Sequence, residues 1–517
     1  MKLSKLIHRS LIFYKKQHLA LLIGTIISTA VLTGALIIGD SVRGSLHSLV
    51  DKRLGNTEYV LQSGDRFVTN ELANKISAEL EINSASLLQL KGIAINSETD
   101  TRINKVQVLG IDNSFWELSN LEIGAPLEDE VYISQNIAKK LELSLEDELL
   151  LRVSNVDVIP LNAPFAEEKD ATISFRLIIK RILSDHEMGR YSLQSDQKAP
   201  FNVFVNQSQL DQTLDLEDLV NTILAEKSDQ INAELLNESL KKSWNLEDAG
   251  LFIRELKDEK KYEVLSKRIF IDESIALALN ELSPIHKILT YLINSIRNDT
   301  FETPYSFVSA ISDYKGEGIH VNNWLKNDLH IENGDLLTLK YFSIGPLRQL
   351  EVKEHSFHEI GFSEIDDGPY RKSLMPEFPG LADAGSCSDW NTGVPIDLDK
   401  IRDKDEDYWD EFKGTPKAVI SLELGQKLWG NKYGQYTSFR FGLDQYSEDE
   451  LADSILSKLN PAELNLSFIN ARGEGKLAAK NSTDFGELFL SLSFFVILAG
   501  VFLTIFLFAL NTASRSQ

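Results

Sequence analysis

The sequence predicts an α+β domain outside the membrane, carried between two transmembrane helices. Three observations predict it. Two uncharged apolar runs lie near the chain ends, basic residues sit between each run and its terminus, and a strand–helix–turn–strand pattern recurs in the interior.

The first run extends from Leu19 to Ile38, 20 residues of which 11 are Leu, Ile or Val. The second extends from Leu488 to Leu510, 23 residues of which 17 are Leu, Ile, Val or Phe. At a helical rise of about 1.5 Å per residue, each spans roughly the 30 Å hydrocarbon core of a bilayer. Gly24, Thr25, Ser28, Thr29, Thr33 and Gly34 dilute the first run. It is still too long for a signal-peptide core, and Leu36–Asp40 offers no small-x-small cleavage site, so it reads as an uncleaved anchor. Lys2, Lys5, Arg9, Lys15 and Lys16 precede the first run and Arg515 follows the second, with no acid among them. Basic flanks face the cytoplasm, which puts both termini inside and the large domain outside.

The net charge is −24, and because the flanks are basic the outer part is more acidic still. Such a surface argues against nucleic acid as a partner. One cysteine, Cys387, excludes an intramolecular disulfide and a cysteine-based metal site.

In chain order, residues 1–18 read as a cytoplasmic amphipathic helix, with Leu3, Leu6, Ile7, Leu11 and Tyr14 on a face that would lie on membrane lipid. Residues 19–39 are the first transmembrane helix. Residues 40–210 are an α+β subdomain containing a hairpin from Ser86 to Asp112, turned at Asn96–Thr101, and the first repeat copy. That copy runs from Ile133-Ser134 through Leu141 and Glu146-Asp147 to a strand over Leu149–Val153. Residues 211–310 read as a mainly helical insertion, since Leu216, Leu219, Val220, Ile223 and Leu224 recur at helical spacing. Residues 311–484 carry the second copy, Val321-Asn322 through Leu329 and Gly334-Asp335 to Leu337–Tyr341. They also carry the third, Ile420-Ser421 through Leu428 and Gly434 to Phe439–Phe441, and a long acidic loop over 343–416. Gly473-Glu474-Gly475 introduces a polar stretch before the second transmembrane helix, 485–511, and a cytoplasmic tail, 512–517. Each copy starts with an apolar residue and a Ser or Asn cap, so each unit is β-α-β.

No phosphate-binding loop is present; Gly425–Lys432 comes nearest but places Asn431 where the lysine is needed. The glycines there read as turn residues. His355 and His358, at i and i+3 in an alternating run, would point to opposite faces of a strand and chelate poorly. The run Asp397–Asp407 lacks the glycine and glutamate of a calcium loop and reads as a solvated acidic loop. There is no nucleophile elbow, and nothing in the sequence makes a case for an enzyme. Gly24, Ser28, Ala30 and Gly34 offer small surfaces where membrane helices could approach closely.

Asp484–Phe495 running into Leu507-Phe508 and Arg515 resembles the second membrane helix of the FtsX-like permeases, the membrane subunits of the MacB/LolC class of ABC systems. The basic amphipathic start and Gly39-Asp40-Ser41-Val42-Arg43-Gly44-Ser45-Leu46 are similar to the same family. So are Leu374–Gly380, Asp403–Trp409 and Gly414–Ala418 in the interior. The resemblance implies a MacB-like periplasmic core and a permease of the bacterial inner membrane, working as a homodimer or with a paired permease. It implies a separate cytoplasmic ABC ATPase on each copy, which holds the ATP and magnesium, so no cofactor is expected on this chain. It also implies mechanotransmission, in which the ATPase drives outer domains that act on lipid, lipoprotein, peptide or envelope partners. Family members continue past the position of Arg515 into a coupling loop and further membrane helices, so the chain reads as truncated after its second helix or as a half-permease. The alternative is a membrane-tethered binding or scaffold domain without an ATPase.

Overall fold

The computed structural model describes residues 3–160, 163–164, 172–194, 198–216, 218–332, 334–345, 349–358, 360–365, 368–375, 384–387, 390 and 395–481, with short pieces between 494 and 513. The chain forms two compact units. One comprises Met1–Tyr59, Leu183–Pro200 and Asn470–Gln517, the other Val60–Ile182 and Phe201–Ile469.

In the first unit, α1 (Leu3–Phe13) stops at Tyr14 and α2 (Lys15–Leu54) runs unbroken for 40 residues, ending at Gly55 with φ 54°. The threonines that dilute the apolar run are accommodated locally. Thr25 Oγ1 donates to Leu22 O and Thr29 Oγ1 to Thr25 O, each at 2.9 Å, and Thr33 donates to Thr29 O. Hydroxyls satisfied this way need no water. Leu19, Leu22, Ile23, Ile26, Ile27 and Ile37 of α2 are exposed. Among the described residues no helix is long and apolar enough to cross a membrane; several side chains of the first run, and much of the second run, fall outside them.

The rest of the chain is one motif used twice. The first half runs β1 (Thr57–Gln62), β2 (Val68–Thr69), α3 (Asn70–Leu80), β3 (Ser84–Asn96), β4 (Arg102–Ile111), α4 (Asn113–Leu118), β5 (Glu130–Ser134) and α5 (Gln135–Leu141). It continues with β6 (Glu148–Ser154), β7 (Thr172–Leu183), β8 (Asn202–Asn206), α6 (Gln207–Leu214), β9 (Leu219–Val220), β10 (Thr222–Glu226) and α7 (Ala233–Ser243). The second half runs β11 (Leu251–Leu256), β12 (Lys261–Ser266), α8 (Glu273–Glu281), β13 (His286–Arg297), β14 (Glu302–Ile311), β15 (Ile319–Asn322), α9 (Asn323–Asp328) and β16 (Leu337–Ile344). Then come β17 (Leu350–Phe357), β18 (Ile360–Ser363), α10 (Asp403–Phe412), β19 (Ala418–Ser421), α11 (Leu422–Trp429), β20 (Ser438–Gly442) and α12 (Glu448–Lys458). β21 (Phe468–Asn470) and α13 (Ala471–Asn481) close the described chain.

The sheet orders agree strand for strand. β21-β1-β10-β3-β4-β8-β5 matches β11-β12-β20-β13-β14-β19-β15. β4 lies parallel to β8 (Val108↔Val203) as β14 does to β19 (Val308↔Ala418). β6 pairs antiparallel with β3 as β16 does with β13. In the first half β3-β4-β8-β5-β7-β6 closes on itself through β6 and β3, and in the second β17 and β18 together take the place of β7. β12 is flanked by β11, which follows α7; β1 is flanked by β21, which follows α12. Each first strand thus pairs with a strand that follows the other half.

The repeat read from the sequence is the core of this duplication. Ile133, Ile137, Leu141, Leu149 and Leu151 are buried in one half, and Val321, Leu325, Leu329, Leu337 and Leu339 are buried at matching places in the other. Fully burying such a side chain contributes about 1.5–3 kcal/mol. Asp147 Oδ2 accepts from Ser144 N at 2.6 Å, and Asp335 Oδ2 from Glu332 N at 2.9 Å, so the acidic turns are built alike. At the tips of the long hairpins, Asn96 Nδ2 donates to Leu141 O at 2.9 Å, while Glu98 N donates to Asn96 Oδ1. Asn298 Nδ2 donates to Leu329 O at 2.8 Å, and Thr300 N and Phe301 N donate to its Oδ1.

One expectation fails. Residues 211–310 are not mainly helical: they hold β9 to β13 and most of β14, with α7 and α8 between, and the boundary between halves falls after α7 rather than near 210 or 310. The third copy's counterpart in the first half, β8-α6-β10, escaped because Gln207 and Asp211 put polar groups on the buried face of α6. Gly473-Glu474-Gly475 lies in a helix, α13.

Asn96→Ala and Asn298→Ala should each lower unfolding free energy by about 1–3 kcal/mol, because backbone groups at the tip lose their partner. Denaturant melts of the two single variants check this, and equal losses are expected from equivalent positions.

Candidate functional site

The first unit is organised around Arg472, in the first turn of α13 and 8% exposed. Its Nη2 donates to Thr57 O at 3.0 Å and its Nε to the same oxygen at 3.2 Å; Nη2 also reaches Gly55 O and Nη1 pairs with Asp51. Lys476, one turn on, is 3.4 Å from the same Asp51 carboxylate. The guanidinium fork therefore holds the carbonyls that follow the end of α2 and a carboxylate of its last turns. Gly475 sets the helix separation, since a Cβ there would stand 3.1 Å from both Val50 Cγ1 and Arg53 Nη2. Arg53, itself buried, donates to Gln194 O in the segment Leu183–Pro200, where Met188 and Tyr191 are buried. Asn470 starts α13 by accepting from Gly473 N at 2.5 Å and donates to Glu58 at 3.2 Å. The helix that carries the first apolar run and the helix that leads to the second are thus pinned side by side.

A second polar centre lies in the second half. Arg402 Nε and Nη2 hold Asp405 at 2.7 and 2.8 Å, and Nη2 also holds Asp328 at 2.7 Å. Lys404 pairs with Asp328 as well, and Thr303 Oγ1 donates to it at 2.5 Å. Lys417 Nζ is 3.5 Å from Asp405 Oδ1 and lies over the rings of Trp324 and Tyr408, at 4.2 and 4.8 Å. Burial pulls the Lys417 ammonium down to about 8, against the pull of Asp405 and Asp328. Burial alone would raise the Asp328 carboxyl, but Lys404, Thr303 and Arg402 bring it below the usual range. Cys387, buried beside Glu406, is pushed up to about 12 and is not a reactive thiol. This centre fastens α10 to α9 and to the start of β19, so the run Asp397–Asp407 is only in part the solvated loop its composition suggested: Asp397, Asp399, Asp403 and Asp407 are exposed, but Asp405 is not. Asp405 is 6% exposed and heads a helix.

Gly24, Ser28, Ala30 and Gly34 all lie on α2. At 100° per residue the first pair and the second fall on faces roughly 120° apart. A Cβ at Gly34 would meet nothing within 4 Å, and the Ser28 side chain lies outside the described residues. His355 is on β17 and His358 beyond its end; His355 stacks edge-on with Phe357 at 4.8 Å. Among the described residues no group of His, Cys, Asp and Glu could hold a metal ion. Gly425 is no turn residue: it sits inside α11, close against the Cβ of Ala310 on β14. Arg472 carried no sequence signal, since it is one basic residue in a polar stretch, and Lys417 lay in a segment read for family resemblance with no role attached to it.

No family model and no curated protein sequence matches the chain. Among solved structures it is similar to the periplasmic region of MacB from Actinobacillus actinomycetemcomitans, at 12% identity and TM-score 0.25, covering 37% of this chain and 84% of that one. It is similar to the extracellular domain of the ABC-type transporter YknZ from Gram-positive bacteria, at 11% identity and TM-score 0.24, covering 36% and 91%. A domain assigned to a permease protein from Porphyromonas gingivalis follows at 14% identity and TM-score 0.22, covering 38% and 84%. Likenesses of this size fix no function for the chain.

Two outcomes are expected. A Val50→Cys, Gly475→Cys pair should form a disulfide on mild oxidation, read as a mobility shift under non-reducing conditions. Below pH 8 both folded and unfolded chains hold the Lys417 proton, and between about 8 and the ordinary 10.5 only the unfolded chain binds it. Stability relative to Lys417→Met should therefore rise across that window, by on the order of 2–3 kcal/mol, in melts compared at pH 7.5 and 10.

Proposed function

We propose that this chain is a membrane subunit of an ABC-transporter-like mechanotransmission complex. In this reading both apolar runs cross the bacterial inner membrane and both termini face the cytoplasm. The duplicated domain stands outside and acts on a lipid, lipoprotein, peptide or envelope partner. A cytoplasmic ATPase supplies ATP hydrolysis, a second permease copy completes the pair, and α1 lies on membrane lipid. The chain itself performs no catalysis.

The observation that carries the proposal is the Arg472 clasp. A tether for a passive domain needs one anchor. Here two segments, each leading to an apolar run, are tied together by a guanidinium and packed through Gly475. A relative movement of two membrane helices would reach the outer domain through this joint. The exposed apolar side chains around α2, with threonine hydroxyls bonded back to the helix, suit a lipid surround. Gly24, Ser28, Ala30 and Gly34 are proposed as contact points for neighbouring membrane helices.

Purification of the full gene product from native membranes should bring down an ATPase with a phosphate-binding loop. Single cysteines scanned through 24–34 in that complex should cross-link at these four positions more than elsewhere. Repeated recovery of the chain without an ATPase would turn the reading into a tethered binding or scaffold domain.

A further inference from the structure

Half-to-half equivalence exposes a place where the two copies differ in chemistry. With Asn96 and Asn298 superposed as hairpin tips, the pairing Ile93↔Arg152 in the first half is the counterpart of Ser295↔Lys340 in the second. Gly92 is then the counterpart of Asn294, and Arg102 of Glu302. In the first half Gly92 faces the packed core, where a Cβ would stand 2.7 Å from Arg152 O and 2.9 Å from Val108 Cγ2, while Ile93, on the opposite face and at the place of Ser295, is half-buried. In the second half the place of Gly92 bears a whole asparagine side chain and borders a cavity of about 470 Å³.

The walls of that cavity are uneven. Ser295 lines it, 3% exposed, and its Oγ has no hydrogen-bond partner among the described residues. A buried hydroxyl left unpaired costs on the order of 1–3 kcal/mol, which a ligand atom at that position would recover. Lys340 and Glu302 line it too, and neither makes a salt bridge among the described residues. Lys400 is near Asp397 at 3.5 Å, and Arg402 is committed to Asp405 and Asp328. One cation and one anion are thus left for an occupant, with Phe342, Val352 and Pro304 supplying apolar wall. Tyr305 on the rim holds φ 31° and accepts from Asp397 N at 2.7 Å, backbone strain of the kind that collects at binding sites.

We infer that this cavity of the second half binds a small zwitterion of the amino-acid class. Its carboxylate would lie at Lys340 and Ser295, its ammonium at Glu302, and its apolar body along Phe342. The site is independent of ATPase coupling and goes beyond the function proposed above.

The test is calorimetric titration of the full chain in detergent with L-leucine and with leucyl-leucine, beside the N-acetylated, C-amidated dipeptide that lacks both charges. Saturable binding of at least one zwitterion is expected, weakened about tenfold or more by removing its charges or by Lys340→Ala. Ser295→Ala should weaken binding about 3–10-fold while leaving the melting temperature equal or higher, because the orphan hydroxyl is gone. A folded chain that binds neither zwitterion at millimolar concentration overturns the inference, as does binding unchanged in both variants. Recovery of the ATPase with either variant separates a failure here from a failure of the permease reading.

Discussion

A single guanidinium closes a chain loop of 421 residues, from Asp51 to Arg472. Closing so long a loop is entropically unfavourable, and the cost grows only slowly with length, so the stretch between can be a large domain at little extra expense. What matters is that the closure be specific. Lysine at 472 would present its three donors from a single nitrogen, without the spread of a guanidinium. The planar fork reaches two carbonyls and a carboxylate together, which fixes α13 against the end of α2. β1 starts at Thr57, whose carbonyl is one of those bonded, and β21 ends just before Arg472, and those strands are neighbours in one sheet.

The exchange of closing strands follows from the same constraint. If each half closed its own sheet, the second apolar run would leave from the second half, far along the chain's path from the first. Because β21 flanks β1, the first half alone is joined in sequence to both apolar runs, while the second half joins the chain only through the first half's last helix and β21. In the second half the segment between β18 and β19 is a long excursion that carries α10 and residues of the Lys417 centre.

How much of this was legible in the sequence depends on which forces hold each part. The β-α-β repeats could be read because burial imposes one apolar pattern wherever the unit occurs: Ile133 and Val321, Leu141 and Leu329 fill the same place in two cores. The hairpin β3–β4 was readable for the same reason. The fourth unit was hidden by Asp211, whose carboxyl burial raises to about 7 with Asp218 adding to the rise, so a group that looks charged in the sequence sits on a core face. Residues 211–310 misled because short strands in a buried sheet show no alternation, and leucines on either side of a turn can mimic helical spacing. The acidic run was misread in part because composition does not show partners: Asp405 is buried only because Arg402 and Lys417 come from three and twelve residues away to meet it. Arg472 was beyond reach altogether, since its acceptors lie more than four hundred residues earlier.

Duplication turns such misses into information. Two copies of one backbone, built by the same tip asparagines and turn aspartates, are each other's control: positions that agree serve the fold, and positions that differ without loosening it are free to serve something else. Asn96 and Asn298 agree, and so do the buried leucines that end α5 and follow α9. Gly92 and Asn294 differ, as do Ile93 and Ser295: where the first half has a half-buried isoleucine, the second has a serine with a buried hydroxyl on the wall of a cavity. A drifting core position fills with apolar side chains, because an unpaired polar group there is penalised and a methyl is not. A serine there, beside a cation and an anion that make no salt bridge among the described residues, fits the inference that the missing partner comes from outside the chain.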